Sequence, residues 1–422
     1  MSASEEFNVT GGFQSRRDLI SGLPEELATE CLVRVPFEFH SSLKSVSRLW
    51  QSLISDRSFD RERRRAGKDE SLLCLVQPLT SPSYPVNSSV DGEVSEKKKV
   101  EEGESHSHQH QQLQQPRVIG TPLYGLSVYN ATLDTWHRVA IPEWIPLFCE
   151  CVALQDAGKV LLIGGWDPET LQPVKDVFVL DFSAAGRSWR RGKPMSAARS
   201  FFACAAVGPT KVYVAGGHDD QKNAIKSAEV YDVEKDEWVT IPPMTEGRDE
   251  CHGFSMAADL GFCVLSGYGT ETQGQFRSDA EIYDPVSNSW SVIENVWPFP
   301  DLSPRGRTAA VIESAGDFRG CKLWCFVDSQ RQCQPRWEVE DDSMKWRLVM
   351  ETIRLPVTTM TSVFAASLSG QAVAMIGGGG EESGTTMMMM MTKGEKNGGK
   401  WSHVSTPSVF SSLPFSYASI YV

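Results

Sequence analysis

After residue 70, the chain alternates short apolar runs with turn residues. In the stretch 199–244 these runs end at Val207, Ala215, Asp232 and Thr240, and Gly216-Gly217 follows the second of them. Apolar runs of this length between turn residues predict four short strands. A single four-stranded sheet cannot bury both of its faces, so the unit predicts neighbours of its own kind.

Three markers repeat in phase with this unit. Tryptophans close successive units in steps of 53, 49, 52, 56 and 55 residues, at Trp136, Trp189, Trp238, Trp290, Trp346 and Trp401. Glycines follow the second run at Gly164-Gly165, Gly216-Gly217, Gly267-Tyr268-Gly269 and Gly377-Gly378, and a tyrosine precedes the tryptophan at Tyr129, Tyr231 and Tyr283. A period near 50 residues is typical of propeller blades, and the markers resemble kelch repeats. The unit that ends at Trp346 lacks the glycine doublet.

The first unit lacks its first strand. Residues 71–77, 125–129 and 135–139 supply three strands, and the run 416–422 supplies a fourth from the other end of the chain. Pairing the two ends closes the ring without open sheet edges. We therefore predict an all-β kelch propeller over residues 71–422, with six blades closed by the C-terminal strand.

A different pattern precedes the propeller. Pro24 suits a first helical turn and Pro36 a helix end, while a second helix from Ser41 carries an apolar stripe through Val46 and Trp50. Leu-Pro at 23–24, Glu-Cys-Leu at 30–32 and Val-Ser-Arg-Leu-Trp at 46–50 resemble an F-box, so we predict a small all-α F-box over 17–66. The resemblance implies docking onto a Skp-type adaptor of a cullin-RING ubiquitin ligase, through Leu23, Pro24, Leu32, Val35, Val46, Trp50 and Leu53. The alternative for these side chains is the core of the helical bundle.

Three segments predict no packed structure. They are a disordered tail over 1–16, a disordered insertion over 78–118 with the alternating His106, His108 and His110, and a low-complexity loop over 380–398 that contains Met387 to Met391. Their apolar content is too low to offset the entropy lost on ordering. We expect no metal at the histidines and no cofactor role for the methionines.

Composition excludes several classes of function. The net charge of -13 and the pI near 5.2 oppose general binding of nucleic acid. The ten cysteines are scattered singly, most of them in apolar runs, which favours a reducing compartment. No signal-peptide or membrane-spanning pattern occurs, so we expect a cytoplasmic or nuclear protein without membrane contact. Cys251-His252 and the group Cys321, Cys325 and Cys333 lack the spacing of a metal or catalytic site, so we predict no cofactor, no metal and no enzyme activity.

One face of the propeller is the candidate client surface. In a four-stranded blade, the loop after the second strand and the loop into the next blade emerge on the same side. This places Trp166, His218 and Asp219 with three recurring arginines, Arg199, Arg248 and Arg307. An arginine pairs bidentately with carboxylates, so a ring of arginines predicts recognition of a partner. The alternative is that each arginine bonds carbonyl groups of its own blade.

Finer motifs resemble one plant subgroup of F-box/kelch proteins. They are Leu-Pro-Glu-Glu-Leu at 23–27, Arg-Val-Pro at 34–36, Val-Ala-Gly-Gly-His-Asp at 214–219, Ser-Ala-Glu-Val-Tyr-Asp at 227–232, Arg-Asp-Glu-Cys at 248–251 and Ser-Gly-Tyr-Gly-Thr-Glu at 266–271. The resemblance implies a receptor that directs phenylalanine ammonia-lyase to proteasomal degradation and so regulates phenylpropanoid biosynthesis. Two alternatives are turnover of type-B response regulators of cytokinin signalling and a non-catalytic kelch scaffold unconnected to ubiquitin.

Overall fold

The computed structural model describes residues 18–79, 123–141, 144–182, 188–256, 261–312, 321–326, 336–339, 346–349, 362–377, 386–392 and 400–422. The predicted tail over 1–16, most of the insertion with its three histidines, and Cys333 lie outside these ranges.

Four helices form the N-terminal unit: α1 (Glu25–Val33), α2 (His40–Val46), α3 (Arg48–Ile54) and α4 (Arg57–Arg65). The sequence predicted one helix through Val46 and Trp50, and this was wrong at Ser47. Ser47 is extended, and its hydroxyl accepts a hydrogen bond from the backbone N–H of Trp50 at 3.1 Å, so it ends α2 and caps α3. Buried Leu32, Ile54 and Phe59 form the small core between the helices.

All strands of the propeller lie in antiparallel four-stranded sheets. Blade A consists of β24 (Ser416–Tyr421), β1 (Ser71–Pro78), β2 (Tyr124–Asn130) and β3 (Thr135–Val139). Blade B consists of β4 (Glu150–Leu154), β5 (Lys159–Ile163), β6 (Val177–Asp181) and β7 (Ser188–Gly192). Blade C consists of β8 (Ala203–Ala206), β9 (Lys211–Ala215), β10 (Ala228–Asp232) and β11 (Glu237–Ile241).

Blade D consists of β12 (His252–Ser255), β13 (Phe262–Leu265), β14 (Ala280–Asp284) and β15 (Ser289–Ile293). A further sheet contains β16 (Thr308–Ile312), β17 (Cys321–Cys325), β18 (Arg336–Val339) and β19 (Trp346–Val349). Blade E consists of β20 (Ser362–Leu368), β21 (Gln371–Gly377), β22 (Thr386–Thr392) and β23 (Lys400–Val404). Short 3₁₀ turns lie at Phe37–Phe39, Thr270–Thr272 and Ser408–Phe410.

The two ends of the propeller pair in blade A. β24 lies antiparallel to β1, with Ser71 opposite Tyr421 and Val76 opposite Ser416. Glu70 and Val422 extend the ladder through two backbone hydrogen bonds of 2.9 and 3.0 Å. The C-terminal run therefore supplies the first strand of this blade, as its apolar pattern indicated.

Alternate residues of a strand pack against different neighbouring blades, because successive side chains point to opposite sides of a sheet. In β1, Leu72 and Cys74 pack against blade B, whereas Leu73 and Leu75 pack against blade E. The same arrangement joins blade B to blade C and blade C to blade D. The cores of the propeller therefore lie between its blades, and no blade has an independent core.

The predicted count of six blades requires correction. Five blades, A to E, are described with packed side chains. In the β16–β19 sheet the strand pairings are described, but side chains only at Thr308, Cys325 and Phe326, where Cys325 packs on blade D and Phe326 on blade E. This sheet corresponds to the unit that lacks the glycine doublet, so it departs from the repeat on which the count of six relied.

The predicted low-complexity loop over 380–398 also requires correction. Residues 386–392 form β22, and Met388 and Met389 are 0% and 3% exposed. Methionine is flexible and apolar, so it fills irregular space between packed blades. The prediction of a loop relied on composition, whereas tertiary packing determines that this segment is a strand.

The propeller has two faces with different roles. The loops after second strands and the segments leading into first strands share one face, which we call the mouth face. The bridges Leu147–Trp166, Ser200–His218 and Asp249–Tyr268 join these two kinds of segment. The helical unit lies on the other face, the junction face, beside Glu70, Asp156 and Phe182.

The glycine markers allow the mouth-face segments to approach each other. Gly217 has φ of +83°, and a Cβ atom at this position would lie 2.3 Å from the carbonyl oxygen of Ser200. Gly165 has the same relation to Leu147, at 2.4 Å. In blade D the marker is shifted by one residue, since Ser266 with φ of +58° takes the place of the first glycine.

The substitution Gly217→Ala is expected to destabilise the propeller by about 3 kcal/mol or more, since it adds a steric clash to the cost of a left-handed backbone. Gly208→Ala is the matched control, because Gly208 has φ of +77° but no atom within 4 Å of an added Cβ. The control is expected to cost only about 1 kcal/mol. Urea unfolding of both variants measures the difference, and equal losses would show that close approach is not what requires the glycine.

Candidate adaptor and client interfaces

The helical unit exposes several large apolar side chains. Their exposed fractions are 37% for Leu23, 50% for Leu27, 50% for Phe39, 62% for Val46 and 38% for Leu49. A unit of four short helices has few apolar residues, so the exposure of several of them indicates an interaction surface. These side chains are candidates for the contact with another protein.

The structure divides the predicted adaptor residues by burial. Leu23, Pro24 and Val46 are exposed, whereas Leu32 is 2% exposed and belongs to the helical core. Val35, Trp50 and Leu53 are half-buried, and Trp50 donates its indole N–H to the carbonyl of Leu19 at 2.6 Å. Sequence reasoning did not select Leu27, Phe39 and Leu49, which are exposed to a similar degree; helical spacing alone does not tell an outward apolar stripe from an inward one.

A buried ion pair joins the helices to the propeller. Arg63 of α4 and Glu70, just before β1, lie 2.9 Å apart with exposed fractions of 1% and 4% for the side chains. Arg63 also donates to the carbonyls of Val33 and Val35, and Glu70 accepts from the backbone N–H of Phe37 and from Asn130. The pair therefore ties α1, α4 and blade A together.

Two further groups complete this junction. Burial, with the charge of Arg63, lowers the pKa of His40 to about 4, so the imidazole is neutral at pH 7. The ring of Phe37 packs against His40 on one side and against Phe182 of blade B on the other. Charge, hydrogen bonds and ring packing together fix the helices to the junction face.

Two of the three predicted client arginines lie inside the blades. Arg199 and Arg248 are both 0% exposed. Arg199 donates to the carbonyls of Gly216 and Ser227 and pairs with Glu229, while Arg248 pairs with Asp279 and Glu281. Their geometry matches the alternative of bonding within the own blade, and it leaves neither guanidinium free for a client.

The other predicted client residues occupy different environments. Arg307 is half-buried at the start of the β16–β19 sheet. His218 is 3% exposed, and its Nδ1 lies 2.9 Å from the carboxylate of Asp249 in the next blade. Asp219 accepts backbone hydrogen bonds from Gln221 and Asn223 and shapes its own loop. Trp166 alone combines partial exposure with contacts to the centre of the face.

Three phenylalanines from three blades meet at the centre of the mouth face. Ring centroids lie 5.2 Å apart for Phe148 and Phe201, 4.7 Å for Phe148 and Phe415, and 5.7 Å for Phe201 and Phe415. Trp166 borders this group at 5.4 Å from Phe148. We call these four half-buried side chains the aromatic cluster.

Arg305 lies against the aromatic cluster. Its guanidinium donates to the carbonyls of Phe202 and Cys251 at 2.8 and 2.9 Å and pairs with the carboxylate of Glu150. The same guanidinium lies 5.7 Å from the ring of Phe201 and 5.5 Å from that of Phe415. A cavity of about 280 Å³, lined by the first strands, continues below it.

The backbone of the mouth face is held in an unusual conformation. Phe148, Phe201 and Glu250 each lie two residues before a first strand and have φ of 57°, 54° and 50°. Gly306 takes the same place before β16 with φ of +66°. Positive φ is a rare outlier for a phenylalanine and costs about 1–3 kcal/mol, so the fold accepts strain to point these side chains into the mouth.

Sequence reasoning missed Arg305 and the phenylalanines of the cluster. A signal was present in the repeat, because Phe148, Phe201 and Glu250 lie 17, 16 and 17 residues before Gly165, Gly217 and Gly267. The recurring arginines are easier to see in the sequence. However, the position of a residue within the repeat, rather than its type, determines whether its side chain lies at the mouth face.

Metal-binding geometry is not found in the described ranges, where no three His, Cys, Asp or Glu side chains group as ligands. Burial raises the pKa of the Cys251 thiol to about 11 and lowers the pKa of His252 to about 3. This pair therefore offers a protonated thiol and a neutral imidazole at pH 7. In the same ranges no helix is long and apolar enough to cross a membrane.

A small helical unit with exposed apolar side chains is joined to a propeller with an ordered mouth face. This is the arrangement of an F-box protein with kelch repeats. The F-box domain family matches residues 20–62, and the Kelch motif family matches 147–196 and 199–245. The chain is 79% identical to the F-box/kelch-repeat protein SKIP20 of Arabidopsis thaliana over 412 residues, which cover 96% of this chain and 97% of the relative.

It is also 63% identical to the F-box/kelch-repeat protein At2g44130 of the same plant over 418 residues, 98% of each chain. The chain belongs to the plant F-box/kelch-repeat family. An F-box with kelch repeats indicates a substrate-recognition adaptor of an SCF-type ubiquitin ligase, which binds a Skp-type adaptor and a protein client. Such proteins are typically non-catalytic receptors.

Replacing Glu70 with Ala is expected to lower the free energy of unfolding by about 3–5 kcal/mol, since it leaves Arg63 buried without its partner. Glu62→Ala is the matched control, because Glu62 pairs with Arg65 in water, where the side chains are 48% and 73% exposed. That change is expected to cost less than about 0.5 kcal/mol. Thermal or urea unfolding tests this difference, and similar losses in both variants would contradict a structural role for the buried pair.

Proposed function

We propose that this chain directs phenylalanine ammonia-lyase to ubiquitination and proteasomal degradation and so regulates phenylpropanoid biosynthesis. The proposal starts from the receptor role of the family and from the motifs that resemble the subgroup acting on this enzyme. Two of those motifs, 248–251 and 266–271, meet at the mouth face through the Asp249–Tyr268 bridge. Part of the resemblance therefore lies on the face that we propose for the client, which supports the proposal.

The separation of the two faces is the observation that carries the receptor role. The exposed group Leu27, Phe39 and Val46 belongs to the helical unit on the junction face, and the aromatic cluster belongs to the mouth face. An adaptor and a client can therefore bind at the same time without competing for one surface. The junction through Arg63 and Glu70 keeps the two binding surfaces in a fixed relation.

Val46→Glu is expected to abolish capture of a plant Skp-type adaptor by the purified full chain, because it places a charge in an exposed apolar contact. Val286→Glu is the matched control, since Val286 is 96% exposed but lies in the turn between β14 and β15, in the propeller. A pull-down compares the two variants with the unchanged chain, and circular dichroism verifies folding. Retained capture by Val46→Glu, or no capture by the unchanged chain, would contradict the proposed adaptor surface.

The client is tested with purified phenylalanine ammonia-lyase in a reconstituted ligase. The unchanged chain is expected to bind the enzyme and to promote its ubiquitination, whereas Val46→Glu is expected to bind it without ubiquitination. Adaptor capture without binding of the enzyme would retain the receptor role and reject this client.

A further inference from the structure

We propose that the aromatic cluster recognises a client segment in which a cationic side chain, lysine or arginine, stands beside an apolar residue. This inference concerns the same mouth face as the proposed receptor function, and it specifies the chemistry of the client rather than its name. It rests on the strained phenylalanines, on a cation of the chain itself and on the surrounding charge.

The first observation is the left-handed backbone at two of the phenylalanines, which fixes the direction in which each side chain leaves the chain. Phe148 and Phe201 keep φ above +50°, although Gly306 occupies the equivalent position before β16 at no steric cost. Glu250 shares this conformation in blade D, so it belongs to the position in the repeat, and blades B and C place a phenylalanine there despite the steric cost. Both rings remain half-buried, so part of each is open to solvent at the mouth.

A lysine of the chain already lies on this cluster. The Nζ atom of exposed Lys222, in the loop after β9, is 4.8 Å from the centroid of the Trp166 ring. An aromatic face attracts a cation through its quadrupole, and tryptophan does so most strongly. Lys222 therefore marks an outward face of the cluster as a cation-binding surface.

The charge around the mouth favours the same partner. Glu250 occupies the position that phenylalanine takes in blades B and C, and its carboxylate accepts a hydrogen bond from the Tyr268 hydroxyl at 3.1 Å. Other carboxylates of the mouth-face loops are Asp167, Glu169, Asp220 and Glu271. Glu150 neutralises Arg305 beneath the rings, so the buried guanidinium does not repel an incoming cation. The net charge of -13 attracts a basic segment from a distance.

These observations together predict how a client segment binds. Its cationic side chain takes the place of Lys222 on the Trp166 face or approaches the Glu250 carboxylate. Its apolar neighbour packs on the exposed parts of Phe148 and Phe201. Lys222 then acts as an internal competitor that leaves when the client arrives.

The test uses fluorescein-labelled nine-residue peptides with a central Arg, Gln or Glu between two phenylalanines, and anisotropy titrations with the full chain. The Arg peptide is expected to bind most tightly and to weaken as salt increases. Lys222→Ala is expected to tighten binding of the Arg peptide about two- to five-fold, since it removes the competitor. Glu250→Gln is expected to weaken binding by a similar factor.

Lys226→Ala is the matched control, because Lys226 is exposed in the same loop but makes no contact with the aromatic cluster; its effect on binding is expected to be negligible. Three results would overturn the proposal: no binding of any peptide, equal binding of the Arg and Glu peptides, or weaker binding after Lys222→Ala. The assay requires neither a Skp-type adaptor nor phenylalanine ammonia-lyase. Its outcome is therefore independent of the tests of the proposed function.

Discussion

The guanidinium of Arg305 contacts four blades, whereas each strand pairing lies within a single blade. It donates to a carbonyl of blade C and one of blade D, pairs with Glu150 of blade B, and stacks beneath Phe415 at the start of β24 in blade A. Burial alone would lower the pKa of Arg305, but Glu150 outweighs it and raises the pKa, so the side chain stays charged. A buried charge is stable only while the partners that neutralise it keep their places. The mouth of the propeller therefore depends on the ring around it being closed.

Much of this architecture follows from spacing alone. Tryptophans and glycines recur because each blade packs in the same way. A Cβ at Gly217 or Gly165 would clash with a carbonyl oxygen of the segment that leads into a first strand. The unpaired strand at each end of the propeller region likewise predicted the pairing of β24 with β1. Prediction failed where the repeat loses its markers, in the β16–β19 sheet, and where composition concealed a strand, in the methionines of β22.

The candidate sites were less predictable, for a physical reason. An arginine at a recurring position has two uses, and sequence does not show whether carboxylates of the same blade, such as Glu229 and Glu281, will neutralise it. The aromatic cluster depends on three segments far apart in the chain reaching one point, two of them, at Phe148 and Phe201, with a left-handed residue. For the F-box, the order of the motifs indicated the correct surface, but the burial of Leu32 and the exposure of Leu27 depend on how the helices pack.

Closure by the last strand also sets a sequence of events during synthesis. Ser71 acquires its partner Tyr421 only after the ribosome has added about 350 further residues, whereas the apolar core of the helical unit lies between Leu32 and Phe59. Until then β1 presents Leu73 and Leu75 on an open edge, where strands of other chains pair readily. An F-box can therefore emerge and fold long before the client-binding ring exists. A nascent chain at that stage carries a folded helical unit beside an unclosed sheet edge that is prone to aggregation.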